Sequence, residues 1–325
     1  MVRSKAMIPS AGEARSVPRR GSWRRVRAVL RPEDALFLLA LVPSTIVTIW
    51  ANVALSNAGV DSRRIRGGLL RLGVAALLAV AVPLLVRALR RTRHALQAAE
   101  FLYTILPFLL CIAVYTNLHD TIRFINPHDI DPYLAGAEAW VFGGQPVVWA
   151  QQFITPFRTD LFSLFYTSFV LIAPSVVLIL WFSGRRAEAR EVLLATIVCF
   201  YSGYVLYVIF PATPPRLYLA AHGYFTTPLH GGALTNMQQA MIEMMPRHAS
   251  RAAFPSLHSA VSCLSLYYAW RYCRWFFPIL LVLVVGLLTS TVYLRHHYVL
   301  DLVAGAMLVP WAVWASGRLD RWWTR

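Results

Sequence analysis

Residues 281–314 read LVLVVGLLTSTVYLRHHYVLDLVAGAMLVPWAVW. Two apolar runs flank a knot of polar residues: Arg295, His296, His297 and Asp301. Apolar stretches of roughly 18–20 residues are what an α-helix needs to cross a bilayer core. Ionisable groups at that depth are costly and point to function. His297 and Asp301 stand four apart, so on a helix they share a face. A carboxylate there accepts the Nδ1 proton, holds one tautomer, and leaves Nε2 as a nucleophile or base. The spacing is common, and a satisfied polar pair at a helix end is the alternative reading.

Working outward, the rest of the chain is equally apolar. Of 325 residues, 58% are hydrophobic and 14% charged, with mean hydropathy +0.53, which excludes an ordinary soluble enzyme. Spans are expected near 35–54, 69–86, 101–118, 161–182, 192–210, 255–270, 275–294 and 299–316. This is the pattern of an all-α polytopic membrane protein with about eight transmembrane helices. The sixth span is short and polar at its start, as though it opens into a wet site.

The net charge of +16 comes from 31 Lys and Arg against 15 Asp and Glu. In this setting it reads as the positive-inside signal, with no nucleic acid expected as partner. Nine basic residues lie within 1–31, and RALRRTR (87–93), GRRAEAR (184–190), RYCR (271–274), Arg318, Arg321 and Arg325 continue the series. Eight spans with both termini cytoplasmic place all of these inside. SRRIR (62–66) disagrees, and spans one and two are expected to form a less regular hairpin. The Arg-, Ser-, Pro- and Gly-rich arm is expected to be disordered and to touch anionic lipid. It resembles a signal-peptide n-region, but the following apolar run is long and lacks a convincing cleavage site, so it reads as an anchor. Cys111, Cys199, Cys263 and Cys273 lie in or beside spans without metal-type spacing, and are expected as buried thiols.

Two long connections share the other face. Residues 119–160, punctuated by Pro127, Pro132, Gly143, Gly144 and Pro146, read as short interfacial helices. In residues 211–254, Met237, Met241, Met244 and Met245 fall on one helical face, which reads as a lid over a lipid cleft or as ordinary packing. Span six begins within RAAFPSLHSAVSCL (251–264). Pro255 suits the first helical turn, orphan N–H groups there favour an anion, and Ser256 and Ser259 add hydroxyls. The alternative is a simple capped helix with an interfacial histidine. The same helix directions bring His258 and His297 to one membrane face. FPATPPRLY adds Arg216 there, either as a phosphate fork or as a snorkelling interfacial arginine. Two histidines, an orienting Asp and arginines suit phosphoryl transfer without a metal or other cofactor.

The motifs PPR (214–216), FPSLHS (254–259) and HYVLD (297–301), in that order, resemble those of the type-2 phosphatidic-acid phosphatase superfamily. The resemblance runs from about residue 100 to 316. FGGQP (142–146) is similar to the external segment of its inositol phosphorylceramide synthase-like (aureobasidin-resistance) branch. The resemblance implies a six-helix phosphatase-type catalytic core, with His297 as nucleophile, Asp301 orienting it, His258 as general acid and Arg216 binding phosphate. With the charge and span pattern, the chain divides into a basic arm (1–31), an N-terminal hairpin and basic loop (32–99), a catalytic membrane domain (100–316) that the resemblance covers, and a basic tail (317–325).

The chain departs from the phosphatase pattern in three places. Leu257 replaces a glycine, Thr291 stands where the third-motif arginine belongs, and Ile209 where the first-motif lysine does. Arg295 and Arg251 are the candidates to supply the missing charge, with Ser256 as a further phosphate ligand. Three functions compete: head-group transfer from a membrane lipid phosphate to an alcohol, hydrolysis with water as acceptor, and non-enzymatic lipid transport. Clustering of the polar groups at one face disfavours transport. A metal held by His296, His297 and Asp301 is disfavoured because adjacent histidines diverge on a helix. An integral membrane protein, in the plasma membrane with an extracytoplasmic site, is expected; the oligomeric state is left open.

Overall fold

The computed structural model describes residues 30–89, 93–243 and 251–325. Most of the N-terminal arm lies outside the described residues, as do Met244 and Met245 of the methionine face. Among the described residues the chain is helical, without strands. Helices α1 (Pro32–Asn57) and α2 (Arg63–Ala88) pair antiparallel. They correct the expectation of a less regular hairpin, since each runs unbroken for 26 residues. SRRIR forms the N-cap and first turn of α2, where the chain reverses from α1. Arg71, one turn further along α2, pairs at 2.7 Å with Asp120 near the end of α3 (Arg93–Ile125).

Short helices α4 (Asp131–Phe142) and α5 (Pro146–Trp149) follow, with a 3-10 turn at Ala150–Phe153. Proline opens both helices, and Gly143 ends α4 at φ 69°, a left-handed conformation glycine adopts without strain. Their aromatic residues Tyr133, Trp140 and Trp149, with Phe157 just beyond them, remain exposed, the composition of a membrane–water belt. Helices α6 (Pro156–Thr167) and α7 (Phe169–Phe182) form one span, and α8 (Arg186–Ile209) returns. Two short helices, α9 (Pro215–Ala221) and α10 (Ala233–Glu243), lead to α11 (Leu257–Tyr272), α12 (Phe277–Tyr293) and α13 (Val299–Thr324).

Six of the eight expected spans are long and apolar enough to cross a membrane: α1, α2, α3, α6–α7, α8 and α13. Leu39, Leu70, Leu171 and Met307 each keep at least 70% of their surface exposed, an arrangement that only a lipid surround makes favourable. The other two, α11 and α12, have 16 and 17 residues. At 1.5 Å per residue they reach about 24–26 Å, short of a hydrocarbon core of about 30 Å. Their ends therefore meet below the surface, and the functional groups they carry are recessed with them.

Helix α8 is the axis of the bundle and packs against α3, α7, α11 and α13. At its first turn and beside it, ion pairs tie one end of the bundle together: Arg190 with Glu33 and Asp320, Arg186 with Glu100, and Arg271 with Glu191. At the opposite end, α11 and α13 are stitched together. Ser256 donates its N–H to the carbonyl of Asp301 (3.0 Å), and the Ser259 hydroxyl donates to the carbonyl of Leu302 (2.7 Å). Glycine at 305 permits this approach, since a Cβ there would collide with the Ser256 carbonyl.

Leu257, which replaces the phosphatase glycine, fills a notch at Gly203 on α8. A Cβ at 203 would lie 2.9 Å from Leu257 Cγ. Gly305→Ala is therefore expected to part α11 from α13, costing about 1–3 kcal/mol by overpacking. Thermal unfolding of the purified protein in detergent should show the loss, with turnover falling more than stability predicts.

Candidate active site

Three segments supply the chemistry, and each is delivered by a different constraint. The backbone at 212 bridges to 252: Ala212 donates to the Arg251 carbonyl (3.3 Å) and Ala253 to the Ala212 carbonyl (3.1 Å). This sets the PPR turn beside the start of α11. Arg216, in the first turn of α9, donates its N–H to the carbonyl of Arg295 (2.9 Å), which brings in the loop before α13. In that loop the N–H groups of His296 and His297 both turn back to the Thr291 carbonyl, at 2.7 and 3.1 Å.

The loop separates the adjacent histidines. His297 turns toward Asp301, its Nδ1 3.2 Å from Oδ2, while its Nε2 lies 3.1 Å from His258 Nδ1. Asp301 Oδ2 also accepts the N–H of Tyr298 (2.9 Å), so the carboxylate is fixed before it orients the ring. His297 and Asp301 are buried, and His258 is half-buried. With Nδ1–H donating to Asp301, Nε2 of His297 is left as the acceptor, and His258 holds its proton on Nδ1 facing it. Burial first, and the Arg216 guanidinium second, push the His297 imidazole below its ordinary range. The ring is then neutral at physiological pH, with its lone pair available. His258 is walled by Phe169 (ring centroids 4.6 Å apart) and Tyr166 (5.1 Å).

His296 points elsewhere. It stacks on Tyr166 at 4.3 Å, and its Nε2 lies 3.1 Å from the Gln238 amide nitrogen. It shares no ligand geometry with His297 and Asp301, and among the described residues no three His, Cys, Asp or Glu side chains converge as a metal site.

The four phosphate-binding candidates divide. Arg216 and Arg295 line a common cavity beside His296. Ser256 is buried as the N-cap of α11, accepting the Ser259 N–H at 3.3 Å. Arg251 is held away by an ion pair with Asp129 (3.0 Å) and does not line the cavity. Thr291 is buried and donates its hydroxyl to the Leu288 carbonyl, so the side chain that replaces the third-motif arginine is a packing element.

A family model for the PAP2 superfamily matches residues 133–315, more than half of the chain. The chain belongs to the PAP2 superfamily. Among curated relatives, it is 27% identical over 265 residues to a phosphoinositol dihydroceramide synthase of Bacteroides thetaiotaomicron, covering 70% of this chain and 85% of that protein. An inositol phosphorylceramide synthase of Candida albicans is 34% identical over 117 residues, 33% of this chain and 24% of the relative. The catalytic subunit AUR1 of the Saccharomyces cerevisiae enzyme is 32% identical over 117 residues, 33% of this chain and 29% of the relative. The fungal matches thus span about a quarter of those proteins. No solved structure matches the chain significantly.

Within this PAP2 domain, several positioning groups escaped the sequence reading, and Glu138 is foremost. It is fully buried, and its two carboxylate oxygens accept the N–H groups of Val299 (2.9 Å) and Leu300 (3.1 Å). Those are orphan donors of the first turn of α13, so a residue 161 positions upstream of Val299 caps the helix that carries Asp301. The same connecting segment, residues 126–142, reaches the other motifs. Asn126 donates to the carbonyls of Val208 and Ile209, Asp131 Oδ1 accepts the Thr213 N–H (2.8 Å) and hydroxyl (2.9 Å), and Asp129 pairs with Arg251. One signal was available for Glu138: a lone carboxylate inside LAGAEAWVF, an apolar run, is costly unless partnered.

Glu138→Ala leaves two buried N–H groups without an acceptor and should cost about 1–3 kcal/mol each. Glu138→Gln keeps one acceptor oxygen and should retain more of both stability and turnover. Melting temperature and kcat of the two variants, compared with wild type, check the order.

Proposed function

We propose that this protein moves inositol phosphate from a phosphatidylinositol-type donor to an alcohol on a second, ceramide-like lipid, through a phosphohistidine on His297. The observation that carries this reading is the hydrogen-bonded series Asp301–His297–His258 set beside Arg216 in a PAP2 domain. Its bacterial relative, matched over 85% of its length, is named for phosphoinositol transfer to dihydroceramide. Hydrolysis would use the same residues with water as acceptor; the names of the relatives favour transfer.

The geometry performs the reaction in two mirrored steps. A donor phosphate entering from the lipid parts the two imidazoles and takes the place between them. The Nε2 lone pair of His297 attacks phosphorus, the bond to the diacylglycerol oxygen breaks, and His258 gives that oxygen its Nδ1 proton. Asp301 stabilises the charge that develops on the His297 ring. In the second step His258 takes the proton of the acceptor hydroxyl as it attacks phosphorus, and the P–N bond breaks. Arg216 faces the phosphate oxygens, and its charge, with that of Arg295 on the same cavity wall, neutralises them. No nucleotide is needed, because one phosphodiester is exchanged for another.

The lipid bilayer is the medium of both substrates. The basic end of the bundle faces the cytoplasm, with both termini there, and the site faces the outer leaflet, most simply in the plasma membrane.

His297→Ala should lower turnover roughly 10⁴-fold or more, and Asp301→Asn about 10²- to 10⁴-fold, with folding intact. Acid-labile labelling of the wild-type protein by inositol-tritiated phosphatidylinositol, absent in His297→Ala, tests the covalent step. Near-normal activity in His297→Ala would end the mechanism. Turnover should persist in EDTA, and a loss restored by a divalent ion would contradict the role given to the arginines.

Sidedness is tested with a single cysteine in a background lacking the four native ones. Gly223, at φ 74°, is a strained place for it, so the exposed neighbour Ala221 is the better position. Labelling of Ala221→Cys by an impermeant maleimide on intact cells or spheroplasts is expected. Labelling only after permeabilisation would invert the topology.

A further inference from the structure

On the transfer reading, the head group stays bonded to phosphorus through both half-reactions, while one lipid leaves and another arrives. A phosphatase carries only a bare phosphoryl group at the same stage. A transferase therefore needs a polar seat next to its nucleophile that the exchanging lipids do not occupy.

A cavity of about 390 Å³ lies on the His296 side of the catalytic pair, walled by α9, α10 and the Leu294–His296 turn. That volume falls within the range of about 300–1,000 Å³ usual for small-molecule sites. We propose that this cavity seats an uncharged, polyhydroxylated head group, with Gln238, Gln239 and Arg295 meeting its hydroxyls and Arg216 meeting its phosphate. The assignment rests on the transfer reading and adds to it the residues that select the head group.

Three features of the walls support it. First, the α10 wall is built and not merely adjacent. Asp160 on α6 accepts the N–H groups of Gly232 and Thr235 and the Thr235 hydroxyl, capping α10 from another helix. Gln238, 3% exposed, uses its amide nitrogen on His296, which keeps its oxygen as an acceptor for a ligand hydroxyl. Gln239 lines the same space from the next position, with its side chain accessible.

Second, Arg295 is held in a conformation that packing alone would not select. Its backbone is left-handed at φ 63°, its residue surface is 7% exposed, and its Nε has no hydrogen-bond partner. One guanidinium nitrogen is tied to the Thr227 carbonyl, which fixes the plane of the fork. The guanidinium is thereby held in one orientation on the cavity wall, with charge to offer a ligand oxygen and one enclosed donor still unpartnered.

Third, the chemistry of the walls excludes the common alternative. Among the described residues no Asp or Glu lines the cavity, and two guanidinium groups do. The aromatic face that would cage a quaternary ammonium, Phe225, is already covered by Arg295, whose Cζ lies 3.9 Å from the ring centroid. Among the described lining residues a choline or ethanolamine group would meet two guanidinium groups and no carboxylate. Amides and a guanidinium fork, in contrast, match the alternating donors and acceptors of a polyol ring.

Calorimetric titration of the purified full chain in detergent tests this without requiring turnover. The probes are myo-inositol 1-phosphate, phosphocholine and orthovanadate. Wild type should bind inositol phosphate at least about tenfold more tightly than phosphocholine. Gln239→Leu, at an accessible position, should weaken inositol phosphate about tenfold while leaving vanadate affinity unchanged, the worth of one or two hydrogen bonds. Gln238→Leu should act in the same direction.

Unchanged inositol phosphate binding in both variants would overturn the assignment. So would an equal loss of vanadate binding, or phosphocholine binding as well as inositol phosphate. The transfer reading fails separately: wild type would release free inositol phosphate from phosphatidylinositol at a rate indifferent to an added ceramide, whatever the titrations show.

Discussion

Helix ends that stop short of water must have their backbone groups satisfied by protein, and this bundle is organised around that requirement. Two of its helices, α11 and α12, are too short to cross a full hydrocarbon core, so their ends and the adjoining start of α13 meet inside. An unpaired N–H in that setting costs several kcal/mol. The donors are met by side chains: Glu138 for the first turn of α13 and Asp160 for α10 at the rim, both from distant sequence, and the local N-cap Ser256 for α11. The carboxylate of Asp301 belongs to the same set, since it accepts the Tyr298 N–H with the oxygen that also faces His297. The functional groups are thus members of the network that lets the helices end where they do.

Close helix approach is the second element. Gly305 and Gly203 leave room for the Ser256 carbonyl and for Leu257, so α11 is pressed between α8 and α13 at its first turn. His258 follows Leu257 directly, which is why the packing of an apolar residue decides where an acid–base group points. A leucine in place of the phosphatase glycine is then a coherent change, because the partner helix offers a matching notch.

Charge is divided between the two ends of the molecule. At one end arginines are paired with Glu33, Glu100, Glu191 and Asp320 across helices, pinning the bundle. At the other, Arg251 is paired with Asp129, and Arg216 and Arg295 converge on a cavity that no Asp or Glu among the described residues lines. Residues 126–142 bridge the segments that carry the three motifs, so this connection acts as a clamp for the site.

Much of this was legible in the sequence for identifiable reasons. Long apolar runs specify membrane helices almost regardless of context, because the bilayer leaves the backbone no other way to satisfy itself. The polar residues interrupting those runs were conspicuous for the same reason, and the H-x3-D spacing placed His297 and Asp301 together because helical geometry is local. Helix directions alone put His258 and Arg216 at the same face. The tertiary structure decided what depends on contacts between distant segments. Glu138 reads as an ordinary acidic residue until the start of α13 is laid over it. Arg251 and Arg295 look equivalent as replacements for a missing arginine until one is seen paired with Asp129 and the other turned, by a left-handed backbone, onto a cavity wall. The divergence of His296 from His297 was foreseeable in direction, but its partner Gln238 was not. Periodicity and spacing report on neighbours along one helix; caps, ion pairs and cavities are set by which helices meet, and that is a property of the packed bundle.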